Sequence, residues 1–286
     1  MDDSTIFIVG AKGQLGLALQ TQYPSARSAD IDELDITDAE SVSAFDWAGI
    51  NIILNAAAYT NVDGAETAEG RIAAWKVNAS AVANLSQIAI THNITLVHIS
   101  TDYVFDGIHN PHNETEPFSP LGVYGQSKAA GDIIISLLPK HYILRTSWVI
   151  GEGHNFVRTM IGLGRKGISP AVVADQFGRL TFTSELVRAI DYLLTHFSPY
   201  GTYNVSNDGK ISSWADITRK IFKIASFDLD LKVTDQTTAE YFANKPDSAP
   251  RPLSSVLDLK KLQSTGFKSV DWEEDLHTYI TKELTQ

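Results

Sequence analysis

The sequence predicts an α/β protein built on a doubly wound, Rossmann-like parallel sheet, with a smaller C-terminal lobe for a substrate. Two observations support this fold: short apolar runs alternate with amphipathic stretches, and a glycine-rich loop follows the first run. The last third differs, with longer loops and a proline-bearing segment at residues 244–253. Of 286 residues, 43% are apolar and 20% charged, which is typical of a globular protein and excludes a disordered or fibrous chain.

The apolar runs are rich in Ile, Val and Leu, as expected of strands buried on both faces. They comprise residues 5–9, 51–58, 95–100, 142–150 and 202–205. Helical spacing is found at residues 14–23, 38–47, 65–91, 124–138, 184–196 and 272–284. Residues 24–30 are weakly apolar, and we predict a strand there only from their place between two helices. Thr37 and Glu40 match a capping box at the start of the second helix.

The chain is expected to form two interleaved lobes. Residues 1–150 and about 181–207 make up the predicted dinucleotide-binding domain, and residues of about 151–180 and 208–286 the substrate-binding lobe. The lobes are expected to interleave because the strand at 202–205 and the helix before it fit the parallel sheet of the first lobe, although they follow part of the second lobe in the chain.

The overall charge limits the classes of partner. There are 23 basic and 34 acidic residues, giving −11, a field that repels nucleic acid and anionic membranes. No stretch approaches the roughly 18 apolar residues of a membrane span, and the N-terminus lacks the features of a signal peptide. We therefore expect a cytoplasmic protein, which the absence of cysteine permits.

A glycine-rich loop directly follows the first predicted strand and opens a helix. Its glycines are spaced G-x-x-G-x-x-G in a run formed by Gly10, Ala11, Lys12, Gly13, Gln14, Leu15 and Gly16. Such a loop brings backbone amides and a helix N-terminus against a pyrophosphate. Asp30 is placed to accept a hydrogen bond from a ribose 2′-hydroxyl, which favours NAD. Lys12 could instead bind the 2′-phosphate of NADP, so the choice between the two dinucleotides stays open. Asp35 and Ile36 are predicted to lie near the adenine.

A phenol and an ammonium lie four residues apart at Tyr124 and Lys128, on one face of a predicted helix. A nearby cation stabilises phenolate and lowers the pKa of a tyrosine. Thr101 ends the preceding strand, at the edge where doubly wound sheets bind ligands. These three residues predict a proton relay for carbonyl reduction beside a nicotinamide. A second pair with this spacing, Tyr241 and Lys245, has no such strand before it and is interpreted as chance.

Together these residues resemble the extended short-chain dehydrogenase/reductase superfamily and, more narrowly, the dTDP-4-dehydrorhamnose reductase family. The resemblance runs nearly end to end. Its most specific strings are STDYVFDG at residues 100–107 and RTSWV at residues 145–149. The other matching segments are residues 10–16, 35–38, 55–63, 124–128, 175–178 and 251–253.

The resemblance implies hydride transfer from NADPH or NADH to the C4 carbonyl of a 4-keto-6-deoxy sugar nucleotide. Tyr124 would protonate the C4 oxygen, Lys128 would hold the nicotinamide ribose and lower the tyrosine pKa, and Thr101 would tune that pKa. Ala58, Tyr59 and Thr60 would line the cofactor, and Thr101, Asp102 and Trp148 would contact the substrate. Arg251 is our candidate for the substrate pyrophosphate, because an acidic protein needs a local cation there.

Two departures from the family concern a metal and the oligomeric state. Some members bind magnesium at a homodimer interface through glutamates. Two of the three glutamate positions are occupied here by Ala18 and Lys282, and only Glu185 lies near the third glutamate position. We therefore expect no metal site and a monomer or weak homodimer. His109 and His112 are expected in a solvated loop rather than at a metal.

Two alternative functions are weighed against the reductase. The first is an NAD-dependent sugar-nucleotide epimerase or dehydratase. A dehydratase typically has acid–base carboxylates directly after the active-site Thr, whereas Asp102 here is followed by Tyr103. The second is a non-catalytic NADP-binding regulatory subunit, against which the presence of Thr101, Tyr124 and Lys128 argues.

Overall fold

A six-stranded parallel sheet forms the centre of the computed structural model, which describes residues 1–227, 231–245 and 247–285. The twelve strands among these residues are β1 (Ile6–Val9), β2 (Arg27–Ala29), β3 (Ile52–Asn55), β4 (Thr95–Thr101), β5 (His141–Thr146), β6 (Val149–Ile150), β7 (Ala171–Val173), β8 (Phe177–Gly178), β9 (Thr181–Phe182), β10 (Gly201–Asn204), β11 (Ser212–Ser213) and β12 (Thr234–Gln236). The central sheet has the order β10-β5-β4-β3-β1-β2, so the predicted α/β fold with a parallel sheet is confirmed.

Eleven α-helices connect or cover the described strands. They are α1 (Gln14–Gln22), α2 (Ala39–Ala44), α3 (Ala68–Trp75), α4 (Ala81–Thr91), α5 (Val123–Ser136), α6 (Phe156–Arg165), α7 (Thr183–Thr195), α8 (Trp214–Ile224), α9 (Thr238–Phe242), α10 (Lys260–Ser264) and α11 (Trp272–Thr285). A π-helical turn, Lys76–Ser80, joins α3 to α4. Such turns widen a helix locally and occur at functional sites.

Several boundaries differ from the predicted ones for local reasons. The strand expected at 142–150 divides into β5 and β6 because Trp148 adopts a left-handed backbone, with φ 49°. The predicted capping box of Thr37 and Glu40 is wrong. Asp38 is the N-cap of α2, and its side chain accepts a hydrogen bond from the Glu40 amide. The Thr37 hydroxyl instead donates a hydrogen bond to Asp35. The weakly apolar second strand exists as β2, paired with β1 through residues 27–29.

The three largest of five apolar clusters among the described residues hold most of the elements together. One covers each face of the central sheet, and the helix α7 belongs to the cluster that also contains Leu15 and Leu19 of α1. The third cluster joins side chains of α6, α8 and α11 away from the sheet, around Trp272. Burial of apolar area at about 25 cal/mol per Å² is the main stabilising contribution of each cluster.

The sheet order creates a crevice at its carboxyl edge. β1 has β2 on one side and β3 on the other, so the connections after β1 and β3 leave in opposite directions. Ligands bind at such a switch point in doubly wound folds. Within the described ranges, every helix is too short or too polar to cross a membrane.

Candidate active site

The loop after β1 is shaped by two sterically required glycines. Gly10 has φ 80°, and a Cβ there would lie 2.6 Å from the Ala57 nitrogen. A Cβ on Gly16 would lie 2.1 Å from the Gly10 oxygen. Gly13 is different: it is the N-cap of α1 and a Cβ there would meet no atom closer than 3.4 Å. Gly13 therefore keeps the loop surface open to a ligand, while Gly10 and Gly16 permit the fold.

A cavity of about 370 Å³ lies beside this loop, at the switch point of the sheet. Its lining includes the predicted cofactor residues Gly10, Lys12, Gly13, Asp30, Asp35, Ile36 and Ala58. The open backbone at Gly13 and the carboxylate of Asp30 fit a pyrophosphate and a ribose. These residues would therefore hold the adenosine half of a nicotinamide dinucleotide.

Acidic side chains surround Lys12. Its ammonium lies 2.5 Å from the Asp32 carboxylate and 3.9 Å from Glu33. The Asp30 carboxylate accepts the Lys12 backbone amide at 2.8 Å, which fixes it against the glycine loop. The hydrogen bond that the Lys12 ammonium donates to Asp32 raises the pKa of Lys12. The carboxylates of Asp30, Asp32 and Glu33 thus form an acidic corner around Lys12, at the place where the choice between NAD and NADP is made.

The predicted proton relay residues come together at the carboxyl end of β4. Tyr124, near the start of α5, is partly buried and packs edge-on against Tyr103, with ring centroids 5.6 Å apart. Burial raises the pKa of the Tyr124 phenol, and a hydrogen bond with Thr101 acts in the opposite direction. The expected net lowering of the Tyr124 pKa is therefore wrong for this arrangement, because burial dominates and Lys128 is not among the groups that shift it. Thr101 does act in the expected sense.

Lys128 is buried one helical turn beyond Tyr124. Its ammonium donates to the Ile99 carbonyl at 2.6 Å and lies 3.3 Å from Nε2 of His98. Burial lowers the pKa of Lys128 to about 8, with Asp132 acting against the shift. Lys128 is consequently held by the strand β4 rather than by the tyrosine.

Two further polar groups stand behind the relay, and sequence reasoning gave them little weight. Asn78, in the π-helical turn, exchanges hydrogen bonds with the Tyr59 backbone at 2.9 and 3.1 Å and donates to Ser127 at 3.0 Å. Asp132 forms a buried ion pair with Arg145 of β5 at 2.9 Å. A polar residue repeating every four positions on α5 was the available signal for Asp132.

Asp102 follows Thr101 and is buried. Burial raises the pKa of its carboxyl to about 7, and the Thr101 hydroxyl, which donates to Oδ1 at 3.1 Å, acts against this shift. One of its oxygens, Oδ2, has no partner among the described residues. An unpartnered buried carboxyl oxygen suits a ligand hydroxyl.

A second cavity of about 420 Å³ opens between α6, α8 and α9. Arg251 lines it and forms an ion pair with Asp63 at 2.8 Å. The pair dismissed as chance also lines it: the Lys245 ammonium lies 3.4 Å from the centre of the Tyr241 ring. Trp148 stacks on Trp214, another lining residue, at 3.7 Å. This cavity offers aromatic surface and two cations, which are the groups that a nucleotide requires.

Other predicted residues take more modest positions. The Leu15 side chain is buried in the sheet core, so its backbone alone is available to a cofactor, while Gln14 is partly buried and Thr60 exposed. His109 is exposed as expected, but His112 is fully buried against Glu116 at 2.9 Å, so its expected solvation is wrong.

The magnesium positions of the family have other partners here. Lys282 pairs with Glu152 at 2.6 Å, and the buried Glu185 lies 2.6 Å from Arg188. Over the part of the chain that the structure describes, no group of three His, Cys, Asp or Glu side chains is arranged to hold a metal ion.

A glycine loop at the switch point of a doubly wound sheet, followed by a threonine and a Tyr-x-x-x-Lys helix, defines the class of dinucleotide-dependent short-chain reductases. The family described as the RmlD substrate binding domain matches residues 4–285. A dTDP-4-dehydrorhamnose reductase of Aggregatibacter actinomycetemcomitans is 38% identical, over 95% of this chain and 96% of its own. The chain belongs to the RmlD family of dTDP-4-dehydrorhamnose reductases.

Solved structures agree with this assignment. The dTDP-4-dehydrorhamnose reductase of Clostridium acetobutylicum superposes with a TM-score of 0.90 at 38% identity, covering 98% of this chain and 99% of that one. The Bacillus anthracis enzyme, crystallised in complex with NADP, gives 0.87 at 37% identity, with 97% of each chain covered.

Proposed function

We propose that this protein reduces the C4 carbonyl of dTDP-4-dehydro-L-rhamnose to give dTDP-L-rhamnose, using NADH or NADPH. The observation that carries the proposal is the position of Thr101 at the carboxyl end of β4 and of Tyr124 near the start of α5, at the sheet edge that also holds the glycine-loop cavity. Bound dinucleotide supplies the hydride. The near-complete coverage of reductases at 38% identity supports the choice of reaction.

Tyr124 donates the proton to the C4 oxygen in the proposed reaction. Because burial raises its pKa, the phenol is fully protonated at neutral pH and is ready to act as an acid. Thr101 hydrogen-bonds the same substrate oxygen and stabilises the tyrosinate that forms. Lys128 holds the nicotinamide ribose and, as an ammonium, favours that anion after proton transfer.

The second cavity takes the nucleotide part of the substrate in this proposal. Arg251 and Lys245 provide positive charge for the pyrophosphate, and the ring of Tyr241 offers a stacking surface for the base. Asp102 and Trp148 remain the candidates for contact with the sugar. This use of the cavity supports the interleaved division in which residues 151–180 and 208–286 form the substrate lobe.

The residues at the magnesium positions support a metal-independent enzyme. An alanine and a lysine cannot replace two carboxylate ligands, and Glu185 is already paired with Arg188. Without that shared metal, we propose a monomer or a weak homodimer.

A coupled assay tests the proposal: dTDP-4-dehydro-L-rhamnose is supplied with each reduced dinucleotide, with and without EDTA. The expected result is one dinucleotide oxidised for each dTDP-L-rhamnose formed, at a rate that EDTA leaves unchanged. An epimerase would return its dinucleotide in the original redox state, and a regulatory subunit would leave the sugar unchanged. Either outcome would overturn the reductase assignment.

A further inference from the structure

A chain of three buried polar side chains leads from β3 to the helix of the relay. Asn55 ends β3, His98 lies in β4 and Lys128 in α5, and all three are fully buried. The Asn55 amide nitrogen lies 3.0 Å from Nδ1 of His98, whose Nε2 lies 3.3 Å from the Lys128 nitrogen. His98 lies outside the two strings, residues 100–107 and 145–149, that most specifically carry the family resemblance.

The orientation of Asn55 decides where the histidine carries its proton. The Ala57 backbone amide donates to the Asn55 carbonyl oxygen at 3.1 Å, so the amide nitrogen must face His98. An amide nitrogen only donates, and Nδ1 of His98 must therefore accept. In a neutral imidazole the remaining proton is then on Nε2, which points at Lys128. Burial and the nearby Lys128 lower the pKa of His98, which keeps the ring neutral.

This arrangement distinguishes the two forms of Lys128. An ammonium has three donors and no acceptor, so it cannot accept the His98 Nε2–H. A neutral amine can accept it while still donating to the Ile99 carbonyl at 2.6 Å. The other charged groups near Lys128 are Asp132 and its ion-pair partner Arg145. Tyr124 and Asp102 belong to the proposed substrate site, near the start of α5 and just after β4. Asp132 favours the ammonium, and His98 opposes it.

We propose that His98, held in one tautomer by Asn55, is a positioning residue that stabilises the uncharged amine of Lys128. The proposal rests on the reductase function, in which the ammonium form of Lys128 assists Tyr124. His98 thereby sets the pH at which Lys128 loses its proton, and with it the upper pH limit of reduction. A lysine balanced in this way exchanges its proton easily during turnover.

The substitution Asn55→Asp tests the direction of the effect. A carboxylate accepts from Nδ1 and moves the ring proton there, which leaves the Nε2 lone pair facing Lys128 and stabilises the ammonium. The basic limb of the kcat profile should move upward by about one pH unit or more. The new charge alone also favours the ammonium, so Asn55→Asp is repeated in a His98→Gln background, where the shift should be much smaller. An equal shift in both backgrounds, or an unmoved limb, overturns the proposal.

A direct measurement on the wild-type protein needs neither substrate nor the Asn55→Asp variant. Nitrogen-15 NMR of the histidine rings, with the His98→Gln protein used to identify one signal among eight histidines, reports the tautomer. We expect a neutral ring protonated on Nε2 in the wild-type protein, with and without NADH. A ring protonated on Nδ1, or a charged ring at pH 7, refutes the inference even if the enzyme proves to be a reductase. Failure of the reductase assay with the expected tautomer would instead count against the proposed function.

Discussion

The phenolic oxygen of Tyr124 has the most specific chemical task in the proposed reaction. Tyr124→Phe should lower kcat by about 10²- to 10⁴-fold, the usual contribution of a positioned general acid. Dinucleotide affinity should change little, because the ring is retained and Lys128 keeps its contacts with β4. Steady-state kinetics and fluorescence titration with NADH measure the two effects. Tyr200→Phe, at an exposed position, is the matched control, and a near-wild-type kcat for Tyr124→Phe would contradict the role.

The acidic corner around Lys12 predicts a preference for NADH. A 2′-phosphate would meet the carboxylates of Asp30, Asp32 and Glu33, and Lys12 is already paired with the second of these. Removing one charge by Asp32→Asn, which also releases Lys12, should raise kcat/KM for NADPH relative to NADH by about fivefold, or about 1 kcal/mol. Asp46→Asn, an exposed substitution elsewhere, should leave the ratio unchanged. A wild-type preference for NADPH would show that the corner rearranges around the phosphate.

The loop between β1 and α1 separates glycines that permit folding from one that permits binding. Gly13→Ala should fold normally yet bind dinucleotide at least about tenfold more weakly, because its methyl group enters the pyrophosphate space. Gly16→Ala should instead lower the melting temperature, since its methyl group would lie 2.1 Å from the Gly10 oxygen. Thermal melts and NADH titrations of both proteins give the comparison. Equal loss of stability in the two variants would reject the distinction.

Elements with strong local signals were predictable from the sequence, and those decided by tertiary contacts were not. The buried strands β1 and β4 and the glycine loop follow from apolar runs and glycine spacing. The division of β5 from β6 depends on the left-handed backbone of Trp148, which stacks on a tryptophan 66 positions later in the chain. The pair Tyr241 and Lys245 could not be recognised as a site from the sequence, because no neighbouring residue indicates a cavity. The cavity forms only where α6 and α8 pack beside this pair.

The stability of the whole molecule should depend on the protonation of Glu185. Burial raises the pKa of its carboxyl to about 7, above the value of about 4.3 in an unfolded chain. Between these values the folded state binds more protons, so the free energy of unfolding that this group contributes falls as the pH rises. As the pH rises from 5 to 8, the free energy of unfolding of Glu185→Gln should therefore increase relative to that of the wild-type protein. This change should be at most about 3 kcal/mol.

Urea unfolding of both proteins at pH 5 and pH 8 measures this difference. Asp102, whose pKa is also raised to about 7, contributes equally to both proteins and cancels. The exposed Glu69→Gln variant should show no such pH-dependent difference. A stability difference for Glu185→Gln that is the same at the two pH values would mean that the carboxyl titrates normally in the folded protein.

The strand β10 has a consequence for engineering. It closes one edge of the central sheet beside β5, yet the chain reaches it only after α6 and the strands β7 to β9, and α8 and α11 follow it. A chimera that takes the proposed substrate lobe from a relative therefore cannot be made with a single crossover after β5. In such a chimera β10 would come from the donor protein and would have to pair with β5 of the other parent. Recombination at three junctions, before α6, before α7 and after β10, would keep the sheet of one parent intact.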